Sequence, residues 1–330
     1  MKTALPISVI ICAYTEQRWA DLLAAVRSVQ KQRTPPTEII VVIDHNRPLW
    51  QRAVSALPGV QVIENHQQQG LSGARNSGIA VAHGDIVAFM DEDAVAESTW
   101  LSYLAAAYQR PQVMGVGGAI TATWETGRPS WFPSEFDWVV GCTYQGMPTS
   151  PMPVRNLIGC NMSFRRELFA AIGGFRQDIG RIGTRPVGCE ETELCIRAQQ
   201  RWPTRTLLYQ PLARVYHHVP TQRATWRYFY ARCYAEGLSK AQVTQSVGAH
   251  DGLAAERRYT FHTLPQGAWH GLRDGCWRGE LGGFGRTAAI TTGLAITTAG
   301  YVAGQAKRLL TKVQTTPKPL ALTTAEEPRP

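Results

Sequence analysis

The chain lacks any paired-cysteine motif. Its seven cysteines, at positions 12, 142, 160, 189, 195, 233 and 276, form no C-x-x-C unit. Their odd number and scatter argue against a disulfide framework and against a zinc site. That usage suits a reducing compartment, so a cytoplasmic chain is expected, one that can also sit on the cytoplasmic face of a membrane. No secretory leader is expected either: the apolar run Ile7 to Ala13 after Lys2 passes straight into Tyr14-Thr15-Glu16 and reads as a first strand. No helix-turn-helix, finger or single-strand-binding signature is present, which removes the nucleic-acid readers. Acid is scarce in one place only. Residues 220–312 hold 12 Lys/Arg against 5 Asp/Glu, whereas residues 1–219 hold 20 against 18. The formal charge of +9 therefore belongs to the C-terminal third, where it suits an anionic membrane surface or an anionic substrate.

What is present is an alternation of strand and helix. Ile7 to Ile11 reads as a strand, and Trp19, Leu22, Leu23, Val26 and Val29 recur at helical spacing after it. Ile39 to Ile43 is a second strand ending at Asp44, and Pro48 opens a short helix that Pro58-Gly59 stops. Val60 to Ile63 is a third strand, Leu71 to Ala82 a glycine-interrupted helix, and Ile86 to Met90 a fourth strand. A helix over 99–109 with Ser98 as its cap follows. Such a series builds a mostly parallel sheet flanked by helices, because parallel neighbours need right-handed crossovers.

Three carboxylates, Asp91-Glu92-Asp93, stand directly after the fourth strand. An isolated acidic triplet is ordinarily a solvated turn. Here the topology brings Tyr14-Thr15, Asp44 and the triplet to one sheet edge, where open α/β sheets bind ligands. Clustered carboxylates repel, and a hard divalent cation shared with substrate phosphates is the natural compensation.

After a fifth strand at Val113 to Ile120 the alternation stops. Residues 121–155 carry Trp124, Trp131, Phe132, Phe136, Trp138 and Tyr144 and read as a long shaped loop with one strand over 138–144. Those rings suit either a core or the stacking of a sugar. A strand from Asn156 to Phe164, a helix from Arg165 to Ile172, a Gly/Arg loop at 180–186 and a helix opening on Glu190-Glu191-Thr192-Glu193 follow. Glu190 and Glu191 are compatible with helix-end electrostatics and a surface pair with Arg197. Strands over 206–209 and 213–220 end the series, and only one of the adjacent His217 and His218 can face a given site.

Taken together, Ile7 to Glu16, Glu38 to Asp44, Gly70-Leu71-Ser72-Gly73-Ala74-Arg75-Asn76 with Gly78, Ala82 to Asp93, and Glu190 to Arg197 resemble in order and spacing the inverting family 2 glycosyltransferases of the GT-A fold. The likeness runs from about Ile7 to Pro220. It implies a Rossmann-like, mostly parallel sheet, a nucleotide-diphosphate sugar as donor, and Mg²⁺ or Mn²⁺. By position it assigns Ala13, Tyr14, Thr15 and Glu16 to the nucleoside, Asp44 to the base, and Arg75 to the nucleotide, where a guanidinium fork suits oxygen acceptors. Asp91 falls on the nucleoside side, Asp93 on the metal with Asp91 beside it, and His217 on a further metal ligand, with His218 the alternative. Glu191 falls on the general base, with Glu190 the neighbouring alternative. The chain departs from the family in carrying Glu where Asp is usual at 191, and Cys12-Ala13-Tyr14-Thr15 where many relatives have proline and asparagine.

This implies a catalytic domain over 1–220, a basic helical extension over 221–312 that can contact a membrane peripherally, and a disordered tail over 313–330. Residues 287–305 are uncharged but rich in threonine and glycine, which favours an interfacial or buried helix over a spanning one. Acceptors of the glycan, lipid-linked or small-molecule kind are expected, in glycan, glycolipid or cell-envelope polysaccharide synthesis. Two other readings compete. A sugar nucleotidyltransferase would want a glycine-rich, basic loop where this chain has Ala13-Tyr14-Thr15-Glu16. A non-catalytic carbohydrate-binding or scaffold protein could share the whole fold.

Overall fold

A computed structural model of the chain describes residues 5–177, 188–247 and 258–314. The loop at 180–186 and the tail from 315 onward lie outside the described residues. Strands β1 (Ile7–Ala13), β2 (Glu38–Ile43), β3 (Gln61–Glu64) and β4 (Ile86–Asp91) alternate with helices α1 (Trp19–Gln30), α2 (Arg47–Ala56) and α3 (Leu71–Val81). They pair in parallel in the order β3-β2-β1-β4. The sheet continues through β8 (Asn161–Arg165), β6 (Val113–Trp124), β9 (Thr206–Val219) and β5 (Ala94–Ala96), with β7 (Met152–Pro153) alongside β9. Within this half β6 and β9 are parallel, while β8 is antiparallel to both β4 and β6.

The sheet is buried on both faces, which is why its strands read as continuous apolar runs. Ile7, Val9 and Ile11 of β1 face a core shared with α1 and α4 (Trp100–Ala107). Ile10 and Cys12 face a second core closed by α3, α5 (Arg166–Ile172) and α6 (Glu190–Arg201). Helix α3 lies close on the sheet because Gly78 has no side chain: a Cβ there would meet Ile10 Cγ2 at 2.8 Å.

Several elements differ from the sequence expectation, each for a visible reason. Helix α4 starts at Trp100, and the Gln32 side chain, not Ser98, accepts the Leu101 N–H at 3.0 Å. The strand expected over 138–144 is instead a 3₁₀ turn, Ser134–Val140, stopped by Gly141 in the left-handed region. The two late strands are one, β9, interrupted by a register shift around Pro211, whose missing N–H forbids regular pairing there. Gly118 of β6 permits that irregularity, since a Cβ on it would lie 1.7 Å from the Ala213 carbonyl oxygen. The expected strand over 156–164 begins only at Asn161. The short β5 directly after the acidic triplet was not expected.

Much of the aromatic loop takes the core role, while Trp138 and Tyr144 line a cavity. Phe132 and Phe136 are buried with Phe229, and Trp131 stacks on Trp226 at 3.9 Å. Beyond β9 come α7 (Trp226–Val247), a π-helical turn (Tyr259–Thr263), α8 (Leu264–Arg278) and α9 (Leu281–Gln314). Helix α9 contains residues 287–305 and packs against α7, and among the described residues no helix is long and apolar enough to cross a membrane.

Candidate active site

The carboxyl edge of the parallel strands gathers the site. Parallel pairing sets Cys12 of β1 beside Asp91 of β4 and brings Asp44 to the same edge after β2. The chain then turns through Glu92 and Asp93 into β5, where Ala94 is paired with His217 of β9. That pairing carries a histidine from far along the chain onto the acids. His217 Nε2 lies 3.1 Å from Asp93 Oδ1, and the His218 backbone N–H donates to the Asp93 carbonyl at 2.8 Å. The alternation of β9 turns His218 to the other side, 3.2 Å from Asp21.

Asp93 is the hub of this cluster. Its Oδ2 lies 3.0 Å from Arg18 and 3.6 Å from Arg223. Burial alone would raise its carboxyl, but His217, Arg18 and Arg223 outweigh burial and hold it well below the usual carboxylate range. His217 responds in the opposite sense: burial works against its charge, yet Asp93 pushes the imidazole up to about 10. Glu92 is also buried and bonded to Arg18 at 2.7 Å, and burial, then repulsion from Asp93, push it up to about 7. Glu92 thus joins the cluster.

Asp91 is the more open acid. It lies 3.6 Å from Arg75 Nη2, and its oxygen, the Cys160 sulfur and a His217 nitrogen all lie within 4.8 Å of one another. Burial raises the Cys160 thiol well above its ordinary value, so it stays protonated and is a poor partner for a hard cation. Asp91 and His217 remain at this spot, with Asp93 joined to it through its 3.1 Å pair with His217 Nε2; the carboxylate oxygens suit Mg²⁺ or Mn²⁺, and the imidazole could join them only in its neutral form.

Arg75 links the acids to α6. Its Nη1 donates to Glu190 Oε1 at 2.9 Å and its Nη2 to the Gly159 carbonyl at 3.3 Å. Burial would weaken its charge, but Glu190 and Asp91 more than offset this and raise the guanidinium. Glu190 Oε2 is buried with no hydrogen-bond partner among the described residues. Cys189 precedes it with φ +76°, a left-handed conformation unusual for a side chain other than glycine, and strain of this kind gathers at functional sites. Glu191 is half-buried beside Glu190, and burial, then the Glu190 charge, push its carboxyl up to about 8. The expected surface pair is instead a clamp: Arg197 bonds buried Glu193 at 2.8 Å and the carbonyl of Gly174 at 2.9 Å.

Two adjoining cavities meet here. The smaller, about 60 Å³, is lined by Ala13, Tyr14, Arg18, Asp44 and the acidic triplet. Asp44 accepts from Asn65 Nδ2 at 2.7 Å and from the Gly70 N–H at 3.0 Å, which fixes its carboxylate at the wall. Thr15 and Glu16 stand outside that lining: the Thr15 hydroxyl accepts the Gln17 N–H at 3.3 Å, and Glu16 is exposed. The larger, about 410 Å³, runs from Arg75 and Asp91 past Glu190 and Glu191 to Trp138, Tyr144 and the C-terminal helices. Arg18 and Arg223, and Glu236 from the middle of α7 in the wall of the larger cavity, were not foreseen as site residues, for single charges carry no motif.

The sheet topology, with its acid-lined edge, is that of the GT-A fold. The chain belongs to the glycosyl transferase family 2, which it matches over residues 8–173. It is 32% identical over 240 residues to the glucosyl-dolichyl phosphate glucuronosyltransferase of Haloferax volcanii, covering 72% of this chain and 76% of that one. Among solved structures it is similar to the mannosyltransferase PcManGT from Pyrobaculum calidifontis in complex with GDP-Man and Mn²⁺, at 17% identity and a TM-score of 0.57 over 94% of this chain and 89% of that one. It is also similar to GalNAc-T7 with UDP, GalNAc and Mn²⁺, at 19% identity and a TM-score of 0.51 over 78% of this chain and 54% of that one. At such identities these two likenesses are of fold.

Proposed function

We propose that the chain is a metal-dependent, inverting glycosyltransferase that moves a sugar from a nucleotide-diphosphate sugar to an acceptor hydroxyl, in glycan, glycolipid or cell-envelope polysaccharide synthesis. The observation that carries this reading is that the two cavities share Asp91, His217 and Arg223. A donor whose nucleoside lies against Tyr14 and Asp44 would present its anomeric carbon to the larger cavity, where Glu191 stands. A divalent ion held by Asp91, Asp93 and His217 would neutralise charge on the departing diphosphate. Arg75 is fixed beside Asp91 to orient the nucleotide. Glu191, as the carboxylate, removes the proton of the acceptor hydroxyl while that oxygen bonds the anomeric carbon and the bond to the diphosphate breaks on the opposite face. One displacement inverts the configuration.

The larger cavity has apolar walls, among them Phe136, Trp138, Leu264 and Leu294. That lining suits a lipid-linked acceptor, the kind that the name of the Haloferax relative indicates. The test is transfer from a panel of nucleotide sugars, with the product's anomeric configuration read by NMR. Inverted product from the wild type, and loss of about a thousandfold in kcat with retained donor binding for Glu191→Gln, are expected. Retained configuration would overturn the mechanism. Metal-dependent nucleotide binding without transfer or hydrolysis on any acceptor would favour the non-catalytic reading.

A further inference from the structure

Helix α8 is built inside out. The positions it buries are Leu264, Gly267, Gly271 and Gly275, three of them without a side chain. These glycines let α9 approach to backbone contact: a Cβ on Gly271 would lie 2.5 Å from Thr287 Oγ1 and 2.7 Å from the Gly283 carbonyl oxygen. The Thr287 hydroxyl donates across the gap to the Ala268 carbonyl at 2.9 Å. Close packing of this small-residue kind is common where the surroundings are themselves apolar.

The opposite face carries the large side chains. Trp269 is 57% exposed and Trp277 71%, and their rings meet edge to face at 6.2 Å. Phe261 in the preceding turn is 77% exposed, and Leu281 at the start of α9 is 82% exposed. At 100° per residue Leu272, Cys276 and Trp269 fall on one side of α8, away from the glycine stripe. A water-facing helix normally shows the reverse arrangement.

Charge decides what covers this face. Exposed Arg273 and Arg278 lie close in sequence to the indoles, and both also reach Asp274, at 3.8 and 3.3 Å. The one acid of α8, Asp274, is only 14% exposed and is held at 2.8 Å by Arg286 of α9. Over residues 258–314 the sequence holds seven Lys/Arg against two Asp/Glu. Indoles and aliphatic groups ringed by arginines match the boundary layer of an anionic bilayer, where tryptophan sits at the headgroup level and cations meet phosphate.

We propose that the outward face of α8, with the first turn of α9, rests on the surface of an anionic lipid membrane. The other sides of the same helices turn Leu264 and Leu294 into the larger cavity. On the reading that this cavity takes the acceptor, docking sets its mouth against the layer from which a lipid-linked acceptor is drawn. The docking itself does not depend on that reading.

The test uses the full chain and needs no sugar transfer. Cys276 is the exposed cysteine on this face while the other six are buried, so an environment-sensitive dye reports from it directly. Vesicles of phosphatidylcholine with phosphatidylglycerol should sediment the protein and shift the dye to the blue, with pure phosphatidylcholine binding roughly tenfold weaker. Trp269→Ser with Trp277→Ser should weaken vesicle binding about tenfold at an unchanged melting temperature. Arg273→Gln with Arg278→Gln should weaken binding only to the anionic vesicles, a loss that high salt reproduces in the wild type. Failure of the wild type to sediment, or tryptophan variants that bind as the wild type does, would overturn the proposal. So would a dimer in sedimentation velocity that the tryptophan substitutions abolish, which would assign the face to a second copy.

Discussion

The parallel strands β1 to β4 and the helices α7 to α9 solve the problem of close packing in opposite ways. In the strands, branched apolar side chains fill both faces of the sheet and the chemistry stands on turns at one edge. In the helices, glycine meets backbone: a Cβ on Gly237 of α7 would lie 2.1 Å from the Thr297 carbonyl oxygen of α9, and, while Phe229 of α7 is buried, the indoles of α8 are left outside. The first arrangement holds acids and arginines rigidly in place, as a donor site requires. The second makes a cover whose shape forms the cavity, so acceptor choice there follows from helix placement more than from any motif.

The sharpest break in this comparison is Arg75→Ala. It leaves Glu190 buried without its partner and releases Asp91, so a loss of about 3–5 kcal/mol in stability is expected, together with loss of transfer. Lys240→Ala, on the cover side of the same cavity, should leave the melting temperature within a degree or two and change only the acceptor KM. Thermal melts and steady-state kinetics on the pair check this.

Next in size, Gly118→Ala drives a Cβ into the Ala213 carbonyl and should cost about 1–3 kcal/mol by denaturant unfolding. Gly237→Ala is expected to loosen α7 against α9 while β1 to β4 stay as protected as before, which hydrogen exchange resolves by segment.

The smallest effect is one of pH. Glu191, pushed up to about 8, is protonated below that value and cannot accept a proton. The rate should therefore climb about tenfold per pH unit below about 8 and level off above it. Glu190→Gln removes the charge that helps raise Glu191, so the midpoint should fall. An unmoved midpoint would mean that burial alone sets it.

How much of this was legible follows the same division. Strands β1 to β4 were readable to within about two residues because two-sided burial writes them as unbroken apolar runs. Three-residue β5 has no periodicity to show, and Pro211 made one bent strand, β9, look like two. Asp44, Arg75, Asp91, Asp93, Glu191 and His217 could be named from their resemblance and order. The Arg75–Glu190 pair, 115 positions apart, could not, because only the folded sheet brings α3 to α6. The exposed rings of α8 were hidden for another reason: its sequence does not say which face the glycines take.

The central claim is that Asp93, although gripped by Arg18, Arg223 and His217, belongs to a cation site serving the donor. Calorimetric titration with uridine, guanosine and deoxythymidine diphosphates, with and without Mn²⁺, on the wild type and on Asp93→Asn tests it most directly. Mn²⁺ should tighten the wild type's preferred diphosphate by about tenfold or more and leave Asp93→Asn unaffected. The same Mn²⁺ dependence in both proteins would contradict it.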